Sequence, residues 1–241
     1  MPIWILWHRT IWHESDIDLG YLPRTSLAAN QQSIYGRRKE YLNDLAKGAR
    51  DCDLEVLDVR RVLIVVDMQN DFVVEEGALS SPAARMIVPF VRERVQSALQ
   101  SGDEVVFTLD THDQDDAEFA KFEPHCLRDS WGGQLISELK ELLGEQVGDQ
   151  VHFVEKNRYS AFYQTDLEEY LGLAPGSQRL PVDEVELVGV CTNICCYFTA
   201  EELANRDVPV KVYARGVASF DEEAHTFALG QMQSVLGVDV V

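Results

Sequence analysis

Val62-Leu63-Ile64-Val65-Val66 is an unbroken apolar run that stops at Asp67-Met68-Gln69-Asn70-Asp71-Phe72. Four of its five residues are β-branched. A run with no polar alternation belongs to a strand covered on both faces. Such a strand lies inside a parallel sheet with helices above and below it.

Beyond this run the sequence repeats the theme. Met86–Leu99 sets apolar residues at helical spacing and ends at Ser101-Gly102. Glu104–Leu109 reads as a strand, Gly133–Leu143 as a helix, Val151–Val154 as a strand and Asp166–Leu171 as a helix. Val185–Val190, Pro209–Tyr213 and Val238–Val241 read as strands, separated by helices over Ile194–Arg206 and Glu222–Leu236. This alternation predicts an α/β fold with a parallel, doubly wound central sheet and helices on both faces. Ligands of such sheets bind at the carboxyl ends of the strands.

Residues 1–60 do not follow this pattern and read as an N-terminal extension, with residues 61–241 as the domain. Ser26–Lys47 has Leu27, Ile34, Tyr41, Leu42 and Leu45 at positions that suit an amphipathic helix, and Trp4, Trp7 and Trp12 are a local excess of aromatics. One reading is a loosely ordered arm packed on the domain. Another is a contact within a homo-oligomer. A later start site is a third, although the next methionine, Met68, lies inside the first strand-end motif.

The net charge is −20, unevenly spread: residues 1–60 carry 8 Lys and Arg against 9 Asp and Glu, which leaves 13 against 32 for the remainder. An acidic surface of this kind repels phosphate backbones and anionic bilayers, so neither nucleic acid nor membrane is an expected partner. The cysteines, Cys52, Cys126, Cys191, Cys195 and Cys196, are odd in number and three are clustered. That is no disulfide framework, and it points to a reducing, cytoplasmic setting. The apolar opening Pro2–Trp7 is cut off by His8 and Arg9, too short for a signal core or a membrane span.

Reactive side chains cluster at the strand ends. Asp67 closes the first strand, where burial favours the protonated carboxyl and suits it to proton transfer. A loop-capping Asp is the alternative. Asp110-Thr111-His112 closes the second strand, with Glu118 and His125 downstream. Asp110 and His112 project to one side of an extended backbone. Two imidazoles and two carboxylates suit zinc, iron or manganese, and a polar loop with a chance pair of histidines is the alternative. Lys156 would be an ordinary surface lysine but for its place at the next strand end. Gly189-Val190-Cys191-Thr192-Asn193-Ile194-Cys195-Cys196 turns a strand into a helix. A thiol at a helix N-terminus has its pKa lowered from about 8.5, and the same N–H groups can hold an oxyanion. A buried, inert cysteine is the alternative, and it is the reading kept for Cys126 and Cys196.

The order Asp67, Asp110 and His112, Lys156, Cys195 resembles that of the isochorismatase-like cysteine hydrolases. Asp67–Phe72 and Gly189–Cys195 are similar to that superfamily's two signatures, and the likeness spans residues 61–241. The resemblance implies an isochorismatase-like hydrolase fold, a small-molecule amide substrate, Cys195 as nucleophile, Asp67 as base and Lys156 beside both. The metal element narrows the likeness to the nicotinamidases, which hold a divalent ion, often zinc. Asp110, His112 and His125 match that element, and Glu118 stands where some nicotinamidases have a glutamate ligand. Phe122-Glu123-Pro124-His125 and Lys156-Asn157-Arg158-Tyr159-Ser160-Ala161-Phe162 are also similar, with Glu123 in place of a proline. Cys191 stands where a small apolar residue is usual, and Asn193 where an Asp is usual.

Taken over residue by residue, the likeness implies hydrolysis of nicotinamide to nicotinate and ammonia through a Cys195 thioester, feeding NAD salvage. It further implies an oxyanion hole from the backbone N–H groups of Cys191 and Cys195, with a cis peptide at Val190–Cys191. The metal would bind the pyridine nitrogen, and Phe72, Phe122 and Tyr159 would line the ring pocket. Two other readings stand. One is a different small-amide or isochorismatase-type hydrolase; a vinyl-ether hydrolase would need neither Cys195 nor the metal set. The other is a binding module that kept the fold and lost the chemistry, since a fold does not fix a function.

Overall fold

Six parallel strands form one sheet among the described residues, which in this computed structural model are 59–144 and 148–241. They are β1 (Arg61–Val66), β2 (Glu104–Asp110), β3 (Val151–Lys156), β4 (Glu184–Val190), β5 (Val210–Ala218) and β6 (Asp239–Val240), in the spatial order β3-β2-β1-β4-β5-β6. The helices are α1 (Asn70–Val73), α2 (Pro82–Ser101), α3 (Ser137–Leu143), α4 (Leu167–Tyr170), α5 (Tyr197–Asn205) and α6 (Glu222–Ser234). The readings of Ser26–Lys47, of the three N-terminal tryptophans and of Cys52 lie outside the described residues.

The unbroken run in β1 is explained by what covers it. Val62, Ile64 and Val66 point into a core shared with Ala200 and Leu203 of α5 and Met232 of α6. Leu63 and Val65 point the other way, onto Ile87, Val91 and Val95 of α2 and Leu139 of α3. Both faces of the sheet are therefore helix-covered, as the alternation of elements predicts. Helix α2 starts where Ser81 Oγ accepts the Ala84 N–H at 3.1 Å and stops at Gly102, whose φ of 81° a side chain would strain. No helix among the described residues is long and apolar enough to cross a membrane.

Three of the boundaries that differ from the sequence reading do so for a tertiary reason. The helix read from Gly133 begins only at Ser137, because residues 134–136 pair with the loop after β1. Ile136 N–H bonds Met68 O at 3.0 Å and Asn70 N–H bonds Gln134 O at 2.9 Å. The helix read from Ile194 is preceded by a wide π-type turn over Thr192–Cys196, in which Cys196 N–H reaches back to Cys191 O at 3.1 Å. Strand β5 runs past Tyr213 to Ala218, re-pairing Val217 with Gly189 after an irregularity in register.

The topology fixes where chemistry can occur. From β1 the backbone builds outward through β2 and β3, then crosses to β4 on the opposite side of β1. The connections diverge at the β1–β4 junction, the crevice in which doubly wound sheets bind ligands. Register sets Val66 opposite both Thr108 and Gly189, and Asp110 opposite Lys156. Gly189 has φ 121°, and a Cβ there would lie 2.1 Å from Val66 O. Its missing side chain lets β4 close against β1 just before the cysteine turn. Gly189→Ala should therefore destabilise the fold by about 3 kcal/mol or more, since backbone strain and a backbone clash coincide. Chemical denaturation would measure it, and an unchanged midpoint would refute the close-approach argument.

Candidate active site

Lys156 ends β3 with its ammonium fully buried. Its Nζ lies 2.8 Å from Asp67 Oδ2, 3.2 Å from Asp110 Oδ1 and 3.5 Å from Cys195 Sγ. Asp67, just past β1, takes a left-handed φ of 51°, which Asp tolerates better than most residues. Thr108 Oγ1 donates to Asp67 Oδ1 at 2.5 Å. Burial opposes the Lys156 charge, but Asp110 and Asp67 outweigh it and hold the ammonium well above the ordinary lysine range. Burial pushes the Asp67 carboxyl up; the Lys156 charge acts downward and does not fully offset it.

Cys195 lies within the turn after β4, buried, with Lys156 Nζ 3.5 Å from its Sγ and the Asp67 charge near enough to act on it. A helix N-terminus lowering its pKa is the sequence expectation, and the structure reverses it. Burial pushes the thiol well above the usual range, Lys156 pulls it down, and the Asp67 charge pushes it up again. Burial thus favours the neutral thiol. Desolvation exceeds what one ammonium returns, and α5 proper starts only at Tyr197. The peptide bond Val190–Cys191 is cis, as the family resemblance implies. Cys191 is itself buried, and burial raises its thiol to about 12. Burial likewise raises Cys126 and Cys196, in keeping with an inert role for those two.

Beside this group the ligand atoms of Asp110, His112 and His125 lie within 4.8 Å of one another, all three residues buried. His112 Nε2 stands 3.1 Å and His125 Nε2 3.4 Å from Asp110 Oδ2. Their other ring nitrogens face outward, His112 Nδ1 to Asp116 Oδ2 at 3.0 Å and His125 Nδ1 to Glu123 O at 2.7 Å. Imidazoles that converge through one nitrogen and are anchored through the other fit a metal ion, and the mixed oxygen and nitrogen donors suit zinc, iron or manganese. Glu118 falls outside that tight triad but lines the same cavity, its carboxyl raised by burial and by Asp110. Burial opposes a charge on His112, yet the adjacent carboxylates of Asp110 and Asp116 raise it to about 9.

A narrow cavity joins the two groups, with Asp67, Asp110, Glu118, His125, Cys191 and Cys195 in its wall. Phe72, Phe122 and Tyr159 line it too, along with Leu79, Ile194 and Phe220, which the sequence reading does not single out. Lys121 donates to Tyr159 Oη at 2.6 Å and fixes that ring. A larger groove of about 590 Å³, between Leu109, Phe153 and Lys140, contains none of these strand-end groups. Sequence reasoning also passes over Thr108, Asp116 and Gln69. Gln69 accepts the Asp110 N–H at 2.7 Å and donates to Asp110 O at 2.8 Å. Only the strand-end position of Gln69, two residues after Asp67, could have signalled it.

A family model described as "Isochorismatase domain" matches residues 61–240. The isochorismatase family protein PncA of Bacillus subtilis (strain 168) is 34% identical over 187 residues, covering 76% of this chain and 99% of that one. A crystal structure of nicotinamidase/pyrazinamidase PncA from Bacillus subtilis matches with a TM-score of 0.70 at 35% identity, over 76% of this chain and 100% of that chain. A crystal structure of the pyrazinamidase of Pyrococcus horikoshii in complex with zinc matches with a TM-score of 0.65 at 28% identity, over 76% and 98%.

The raised thiol has a measurable consequence. Alkylation of Cys195 by iodoacetamide in the free protein should accelerate steadily from about pH 7 to about pH 9 without levelling off, because the thiolate is the reactive form. Mass spectrometry assigns the modified cysteine. A plateau reached below neutral pH would mean that Lys156 dominates over desolvation after all.

Proposed function

The chain belongs to the isochorismatase family, and on that premise we propose that it hydrolyses nicotinamide to nicotinate and ammonia through a thioester on Cys195. The observation that carries this reading is the single cavity on which Asp67, Cys195 and the Asp110–His125 pair all open, with Lys156 directly behind it. The nicotinamidase/pyrazinamidase relative at 35% identity supports the substrate class.

Asp67, which opens on the same cavity as Cys195, takes the Cys195 proton. The sulfur forms a bond to the amide carbon, and the carbonyl electron pair moves onto oxygen, held by the N–H groups of Cys191 and Cys195. Asp67 returns its proton to the nitrogen as the C–N bond breaks, and ammonia leaves. Asp67 then deprotonates a water molecule, which attacks the thioester and releases nicotinate and the Cys195 thiol. Lys156 stays charged and stabilises whichever of Asp67 and Cys195 is anionic.

Asp110, His112 and His125, with Glu118 as a further ligand, would hold the divalent metal. A zinc complex of the Pyrococcus horikoshii relative favours zinc, and iron or manganese also suits these donors. When bound, the ion supplies a Lewis-acid point for the pyridine nitrogen. Phe72, Phe122 and Tyr159 orient the ring between that point and Cys195. Nicotinate made in this way would feed NAD salvage in the cytoplasm.

Ammonia release from nicotinamide, with zinc supplied, tests the reading. Cys195→Ala should lower kcat by about 10³-fold or more, and Asp67→Asn by about 10²–10⁴-fold. Cys196→Ala should leave the rate nearly unchanged. Cleavage of other small amides but not nicotinamide would refute the substrate assignment. An Asp67→Asn variant that keeps more than about a tenth of the rate would remove Asp67 from the chemistry. Stripping the metal should abolish nicotinamide turnover while leaving Cys195 open to alkylation.

A further inference from the structure

Asp116 is neither in the metal triad nor in the cavity wall, yet its carboxylate touches three parts of the site. Its Oδ2 lies 3.0 Å from His112 Nδ1, and the side chain is only 7% exposed. Its Oδ1 accepts the Glu118 N–H at 2.9 Å, capping the 3-10 turn Ala117–Ala120 that carries Glu118. Arg158 Nη1 reaches both oxygens, at 3.2 Å and 3.3 Å. Arg158 stands two residues beyond Lys156 and one before Tyr159.

A histidine can offer a lone pair at Nε2 only while its proton sits on Nδ1, and an acceptor at Nδ1 selects that tautomer. His125 has a neutral acceptor there, the Glu123 carbonyl. His112 has a carboxylate, which orients the ring and also makes Nε2 a stronger donor. The Arg158 guanidinium fixes that carboxylate and balances its charge. We propose that Asp116 is a positioning residue for the metal site: it sets the tautomer of His112 while its cap fixes the backbone from which Glu118 projects. This inference rests on the metal reading of the cavity given above.

The simpler role for Asp116 is the cap alone, and the two roles separate experimentally. Asn and Ser also cap turns through a side-chain oxygen, but neither brings a carboxylate to His112. Asp116→Asn is the first variant, and Asp116→Ser the second should the first fail to fold. The probe is zinc alone, titrated against a chromogenic chelator, alongside metal-free melting temperature and the Cys195 alkylation rate. The expected result is zinc affinity about 10–100-fold weaker, with melting temperature and alkylation nearly unchanged. The slowly exchanging Nδ1–H resonance of His112 in the zinc-bound protein should shift or vanish with the carboxylate. Zinc affinity within about threefold of the parent would overturn the proposal, as would a loss that merely tracks a lower melting temperature. If the parent protein itself takes up no metal, the metal reading falls and this inference with it; if the parent binds and the variant binds equally well, only this inference falls.

Discussion

Lys156 must satisfy two carboxylates and a thiol at once, in a place where no water helps it. Burying an ion costs several kcal/mol even after relaxation, and a partner offsets that cost only at short range and with good geometry. One ammonium cannot balance both Asp67 and Asp110. A negative charge is left over, and it lies on the Asp110 side, where His112 and His125 converge. A second positive charge is in demand there, which a protonated His112 or a divalent ion would meet. The nucleophile half and the metal half of the cavity are thus joined by charge balance as well as by proximity.

That cluster exists because each member ends a different parallel strand. Asp67 follows β1, Asp110 closes β2, Lys156 closes β3 and the cysteine turn follows β4. Parallel pairing with Asp110 opposite Lys156 and Val66 opposite Gly189 brings all four to one edge. Loops then lock the edge. Gln69 bonds both backbone groups of Asp110 and also Gly133 O at 2.8 Å, while Asp71 Oδ2 accepts the Cys126 N–H at 2.7 Å. The Asp67–Phe72 segment therefore supplies the carboxylate proposed as the base and, immediately after it, the braces that hold the next strand end in register.

The strand ends are legible in the sequence because each apolar run halts at a polar residue, and both cores follow from the same runs. Asp67, Asp110, Lys156 and Cys195 can be named from that pattern and from the family resemblance. Thr108 cannot: it lies within a strand, and only its pairing beside β1 turns its hydroxyl onto Asp67. Asp116 sits among Asp113 and Asp115, and nothing local distinguishes the one that meets His112. Residues 134–136 carry apolar spacing that continues into α3, but their backbone is taken by the loop after β1. The thiol misleads a sequence reading because helix-end polarity is a local property, whereas desolvation depends on everything packed around the sulfur.

A thiol kept protonated by burial has consequences for the proposed chemistry. A thiolate formed by losing its proton to solvent would leave Asp67 with no proton to hand to the departing nitrogen. With the thiol neutral, the proton that Asp67 removes from sulfur is the one it delivers to ammonia. One proton then serves attack and departure in turn, and the total charge of Asp67, Cys195, Lys156 and the bound amide together is constant through acylation. A buried site favours such a sequence, because any step that changed its net charge would meet the full cost of desolvation. Lys156 fits this role because Asp110 and Asp67 together hold its proton tightly. The strength of that grip, rather than a lowered thiol pKa, is what this arrangement would contribute to the proposed activation of Cys195.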